Sequence, residues 1–123
     1  MEEKIRTHKE LNVWKASIEL VTEIYRLTKG FPKEETYGLT NQIRRASVSI
    51  PSNLAEGAAR SSNKEFSYYI SIAIGSIAEI ETQLFISRNL GYLNESDFEK
   101  LDTKLTDIRK MATGLKKTID AKR

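Results

Sequence analysis

From Asn12 onward, apolar residues recur every three or four positions, the period of helices packed on one side. Val13, Ser17, Leu20, Ile24 and Leu27 make one stripe, and Trp14, Ile18, Val21 and Tyr25 make a second beside it. The first helix is therefore apolar over more than the ~100° arc a surface helix needs. Asn12 is its expected N-cap and Gly30 its expected stop, ahead of Phe31-Pro32. Residues 1–11 are polar and read as a flexible arm, and residues 12–121 as the folded domain.

The second helix is predicted to begin between Lys33 and Tyr37, with Leu39, Ile43, Ala46, Ile50, Leu54 and Gly57 inward. Pro51 lies within it, removing one backbone donor and disfavouring helical geometry at Ile50. The period runs in phase through the proline, which predicts one kinked helix; a break into two shorter helices is the alternative. Ser47, Ser49 and Ser52 are placed to bond backbone groups freed there.

Ser62 and Glu65 read as a capping box opening a third helix, which carries Phe66, Ile70, Ala73, Ile77, Ile80 and Leu84 to a stop at Gly91. A fourth helix opens near Asn94 or Ser96 and carries Phe98, Leu101, Leu105, Ile108, Ala112, Leu115 and Ile119. Strict alternation persists nowhere, so no strand is predicted. The fold class is all-α: an antiparallel up-down four-helix bundle with axes about 20° apart.

Two helices carry more apolar surface than one core needs. On the third, Tyr68, Ile72, Gly75 and Ile86 fall opposite the core stripe, and Gly75 would admit another backbone closely. Together with Trp14, Ile18, Val21 and Tyr25 they predict a homo-oligomer interface. The second helix adds a polar ridge of Gln42, Arg45, Ser49, Ser52, Asn53, Glu56 and Arg60 at spacings of neighbours. A merely solvated face would carry Lys and Glu instead of these mostly short side chains. A hydrogen-bonded seam is expected, with Glu56 paired to Arg60, to Asn53, or to Arg45 of a second copy.

Composition bounds the rest. The 123 residues, 39% hydrophobic and 30% charged, suit one globular domain and not a disordered chain. There is no cysteine, hence no disulfide framework or thiolate chemistry, as befits a reducing compartment. The charged start has no apolar core of a signal peptide, and no apolar run approaches the roughly 20 residues that span a bilayer. A cytoplasmic protein without a membrane partner is expected.

The net charge of +3 is unevenly spread. Residues 42–64 carry +3, residues 65–99 carry −5, and residues 100–123 carry +5. This pattern fits either intramolecular complementarity or a phosphate-binding footprint. Candidate nucleic-acid contacts are Arg44, Arg45, Arg60 and Lys64 around the second helix, and Lys110, Lys116 and Lys117 on the fourth. No helix-turn-helix, zinc-finger or RNA-recognition motif accompanies them.

Catalysis finds no footing. The sole histidine, His8, lies in the arm, whereas di-metal bundles need two Glu-x-x-His pairs, and serine triads need a placed histidine. Glu79 and Glu81 point to different sides of their helix. No glycine-rich phosphate loop follows a strand. No metal, cofactor or small-molecule substrate is expected.

Several segments carry a family likeness: Leu11-Asn12-Val13-Trp14-Lys15-Ala16; Phe31-Pro32-Lys33-Glu34-Glu35-Thr36-Tyr37-Gly38-Leu39-Thr40; and Gln42-Ile43-Arg44-Arg45-Ala46-Ser47-Val48-Ser49-Ile50-Pro51-Ser52-Asn53-Leu54-Ala55-Glu56-Gly57, the most specific. Ile72-Ala73-Ile74-Gly75-Ser76, Glu79-Ile80-Glu81-Thr82-Gln83-Leu84 and Leu90-Gly91-Tyr92-Leu93 complete the set. From about Leu11 to Leu93 the chain resembles the bacterial four-helix bundle family named for proteins encoded in intervening sequences of 23S ribosomal RNA genes. The resemblance implies a ring-like homopentamer, members described as ribosome-associated or of unknown function, and no catalytic residues. Arg45, Asn53 and Glu56 match its pattern and read as structural or interfacial. The expected function is a non-catalytic oligomeric bundle that binds RNA or a ribonucleoprotein; the alternative is a protein–protein adaptor ring without nucleic-acid contact.

Overall fold

The structure is a computed structural model that describes His8 and residues 11–122. The predicted arm, residues 1–11, lies almost wholly outside the described residues. Leu11 at its end is buried in the core and donates its N–H to the His8 carbonyl at 3.0 Å.

Four helices account for the chain: α1 (Asn12–Thr28), α2 (Leu39–Ala58), α3 (Asn63–Asn89) and α4 (Glu95–Ala121). There is no strand among the described residues. The predicted stripes face inward. Leu20, Ile24, Ile43, Ile50, Leu54, Ile70, Ile77, Ile80, Leu84, Leu101, Leu105 and Ile108 are fully buried, while Leu27, Leu39 and Leu115 are only partly covered. α1 packs on α2 and α4, and α3 packs on the same two; α1 and α3 do not meet. The apolar stripes thus enclose a single core.

The boundaries show where local chemistry overrides the period. α1 starts at Asn12 with Leu11 as its N-cap residue, so Asn12 is the first helical residue and no side chain caps this end. Gly30 lacks a positive φ and does not terminate α1 by a left-handed turn. The helix ends earlier, at Thr28, whose hydroxyl donates to the Ile24 carbonyl at 2.7 Å.

α2 starts at Leu39, later than the pattern predicts, because Lys33–Glu35 first make a 3-10 turn. Glu35 then serves as a remote cap. Its Oε1 accepts from the Leu39 N–H at 3.2 Å, and its Oε2 accepts from the Tyr92 hydroxyl at 3.0 Å. A carboxylate is favoured at a helix N-terminus, and here it also ties that end to the α3–α4 turn. The same hydrogen bond pushes the Tyr92 phenol above its ordinary value. α2 runs unbroken through Pro51, which excludes the two-helix alternative.

The ends of α3 and the start of α4 follow the prediction. The Ser62 hydroxyl accepts from the Glu65 N–H at 3.1 Å. At the other end Tyr92 N–H donates to the Ser87 carbonyl at 2.9 Å and Gly91 N–H to the Arg88 carbonyl at 3.0 Å, with Gly91 at φ +79°. This pair of bonds is the Schellman arrangement, which needs a residue that tolerates the left-handed region. Asn94 opens α4 by accepting from the Asp97 N–H at 2.8 Å.

Among the described residues α3 alone has the length and composition of a membrane-crossing helix, with 39% of its apolar window buried inside the bundle. It supplies the core on one side and stays largely uncharged on the other.

Candidate nucleic-acid and assembly surfaces

The basic residues that charge patterning selects fall into two groups. Arg44 and Arg60 are engaged within the chain. The Arg44 guanidinium donates to Thr28 Oγ1 at 2.8 Å and to the Tyr25 carbonyl at 3.2 Å, and lies 4.6 Å from the Tyr25 ring centroid. It fastens the end of α1 to α2. Arg60 donates to Glu56 Oε1 at 2.6 Å and to the Tyr69 hydroxyl at 2.8 Å, with its guanidinium 5.1 Å from the Tyr69 ring. It braces the α2–α3 turn. Lys116 is half-buried and pairs with Asp120 at 2.9 Å.

The second group is exposed: Arg45 on α2, Lys64 in the first turn of α3, and Lys110 and Lys117 on α4. None of these four makes an ion pair among the described residues. Their charge is available to an external anion. Glu23 on α1 is held below the usual carboxylate value, chiefly by its hydrogen bond to Arg26, with Lys104 and Lys100 of α4 adding to it. Part of the α4 charge therefore complements α1 within the chain.

Arg44 can be separated from nucleic-acid binding by experiment. Arg44→Ala removes a charged hydrogen bond to Thr28 and the stacking on Tyr25, and is expected to lower stability by roughly 1–3 kcal/mol. Urea unfolding measures this; a midpoint equal to wild type would refute the fastening role.

The polar ridge of α2 is a hydrogen-bonded seam over part of its length. Ser49 Oγ and Ser76 Oγ lie 2.8 Å apart, and Asn53 Nδ2 donates to the Ser49 carbonyl at 2.8 Å and its hydroxyl at 2.9 Å. Of the two partners predicted for Glu56 within the chain, Arg60 is the one it meets, while Asn53 turns to Ser49. Gln42 and Arg45 stay exposed. Ser76 joins the seam from α3, and the periodicity of α2 gives no signal for it.

The predicted interface residues lie on two separate faces. Trp14, Ile18 and Val21 line one wall of a groove on α1, and Val48, Pro51 and Ala55 of α2 line the other. Val48 is an exposed apolar residue that the core stripe of α2 does not include. His8 sits at this groove, its ring edge-on to Trp14 at 5.1 Å. Tyr25 is drawn instead to Arg44. On α3, Tyr68 is 63% exposed and Ile86 44%, Gly75 is exposed and Ile72 half-buried.

Among the described residues no group of three His, Cys, Asp or Glu side chains is placed to hold a metal. A recess of about 480 Å³ between α1 and α4 is an open groove lined by Glu23, Ser96, Glu99, Lys100 and Lys104 among others.

Four helices around one core, with apolar and cationic side chains left on the outside, define an all-helical domain. The chain belongs to the family described as 23S rRNA-intervening sequence protein, whose profile matches residues 9–114. No curated protein matches it. Among solved structures it is similar to a protein with unknown function from the S23 ribosomal protein family of Bacteroides thetaiotaomicron VPI-5482. The identity is 25% and the TM-score 0.79, covering 85% of this chain and 95% of that one.

Proposed function

We propose that this chain is a non-catalytic homo-oligomeric bundle that binds RNA or a ribonucleoprotein in the cytoplasm. In this reading residues 12–121 form an up-down antiparallel bundle with α2 bent at Pro51, preceded by an arm, and the assembly is a pentamer. Membrane, metal, cofactor and small-molecule substrate play no part in it. Paired contacts support the antiparallel order: Ser49 meets Ser76 while Gly57 meets Tyr69, and Arg88 meets Glu95 while Glu81 meets Arg109. The pentamer rests on the family resemblance.

The observation that carries the binding half is the set of exposed cations Arg45, Lys64, Lys110 and Lys117, which make no ion pair among the described residues. Repetition of such a set by symmetry would add avidity that one copy lacks. Phosphate contacts release counterions, so affinity falls with salt. About three contacts to single-stranded RNA predict a roughly 20-fold loss between 50 and 200 mM salt. Lys64→Glu with Lys117→Glu should weaken binding further and flatten that salt dependence. Fluorescence anisotropy with a labelled 23S-type RNA fragment reads both. Salt-independent retention would sink the proposal. A co-purifying protein that survives nuclease treatment would favour the adaptor instead.

A further inference from the structure

We infer that the C-terminal half of α4 is a seat for RNA, in which the bare helix backbone at Gly114 lies against the sugar–phosphate chain between Lys110 and Lys117. The inference rests on the binding part of the proposed function. It specifies which surface binds and which part of the RNA is touched.

Charge divides α4 in two. From Glu95 to Arg109 its exposed charged residues are Glu95, Glu99, Lys100, Lys104 and Asp107, a mixture of both signs. From Lys110 to Lys122 they are Lys110, Lys117 and Lys122, all cationic and none in an ion pair among the described residues. The one acid in that stretch, Asp120, is half-buried and pairs with Lys116 at 2.9 Å. Asp107, three residues before Lys110, bounds the cationic stretch. The helix dipole favours cations only within the last turn. It accounts for Lys122 at the C-cap but not for Lys110 or Lys117, since the last turn itself holds no basic residue.

Gly114 lies four residues after Lys110 and three before Lys117, so the three share one face of the helix. It is exposed, and a Cβ there would meet nothing within 4 Å. Packing inside the chain therefore does not require a glycine, which is destabilising in a helix interior relative to alanine. What it supplies is a saddle of bare backbone with an ammonium group at either end. The two lysines stand about 10 Å apart along the axis, so both can engage one short run of phosphates.

The side chains of this face decide what it touches. Unpaired bases are held by stacking on aromatic rings, and base edges by Asn, Gln or Arg. None of these residue types occurs between Lys110 and Lys122. Lysine meets phosphate as a point charge. The contact is thus to the sugar–phosphate chain, and it carries no sequence information. A lipid surface is a poor match, because it takes up an apolar helix face. Met111 is the one large apolar side chain exposed on this stretch.

The test uses the full chain with Gly114→Ala and Gly114→Gln, and two labelled single-stranded RNAs of equal length and unrelated sequence. Both substitutions fill the saddle and favour the helix, so the thermal midpoint should equal or exceed that of wild type. Affinity read by fluorescence anisotropy should nonetheless fall, by roughly 10-fold for Gly114→Gln, as when one hydrogen bond to a charged group is lost. The slope of log affinity against log salt should become shallower by about 0.7. Gly114→Ala should fall between Gly114→Gln and wild type, and the two RNAs should bind alike. Variants that bind as tightly as a binding-competent wild type would overturn the inference and leave the binding reading standing, as would a strong preference for one of the two sequences. A variant whose mass by light scattering differs from wild type would assign Gly114 to contact between copies and overturn the inference too. A wild-type chain that binds neither RNA at low salt would overturn the binding reading, and this inference with it.

Discussion

Ile77→Ala is expected to lower the unfolding free energy by about 2–5 kcal/mol, whereas Ile86→Ala on the same helix should change it by under about 0.5 kcal/mol at dilute concentration. Ile77 is fully buried, and truncating it removes apolar contact and leaves a cavity that a close-packed core cannot fully close. Ile86 is 44% exposed and lies on the outer side of α3. Two isoleucines nine positions apart thus separate the folding face from the exposed face. Chemical denaturation of dilute protein checks both. Equal losses would mean that α3 has no distinct outer face.

Gly57→Ala should cost about 1–3 kcal/mol, although alanine favours helices by about 1 kcal/mol over glycine. A Cβ at this position would stand 2.7 Å from Tyr69 Cβ, 3.0 Å from Phe66 Cδ1 and 3.3 Å from the Phe66 carbonyl oxygen. The nearest of these is fixed to the α3 backbone and cannot rotate away. The two helices must part near their turn, and Tyr69, which accepts from Arg60, must move with them. Thermal unfolding should show a lower midpoint. A midpoint at or above that of wild type would mean that the approach of α2 to α3 tolerates a methyl group.

The core was legible because it depends on period alone. Seven of the α4 positions from Phe98 to Ile119 fall in one 3,4 series, and six of them are buried, with Leu115 at the edge. Caps built from neighbouring residues were equally legible, as Ser62 with Glu65 and Gly91 show. The start of α2 was not. Its cap is Glu35, four residues before Leu39, held by a tyrosine 57 positions away. No local pattern encodes such a pairing.

The surfaces divide in the same way. Surplus apolar stripes can be counted along a helix, so the faces of α1 and α3 were visible. Which cation is free cannot be counted. Arg44 and Arg45 are adjacent in sequence, yet one grips Tyr25 and Thr28 while the other stays in solvent. A turn of 100° between neighbouring residues separates a fastener from a candidate phosphate contact.

The order in which the helices pack also bears on time. Three of the four helix contacts join neighbours in sequence, and only α4 against α1 closes over a long stretch of chain. Contacts between nearby segments form quickly, so bundles of this kind fold on the order of microseconds to milliseconds. During synthesis α1, α2 and α3 can associate as they emerge. Leu101, Leu105, Ile108 and Ala112 arrive last, and until they do the apolar interior stands open along one side. The core of a nascent copy therefore closes only once α4 is present.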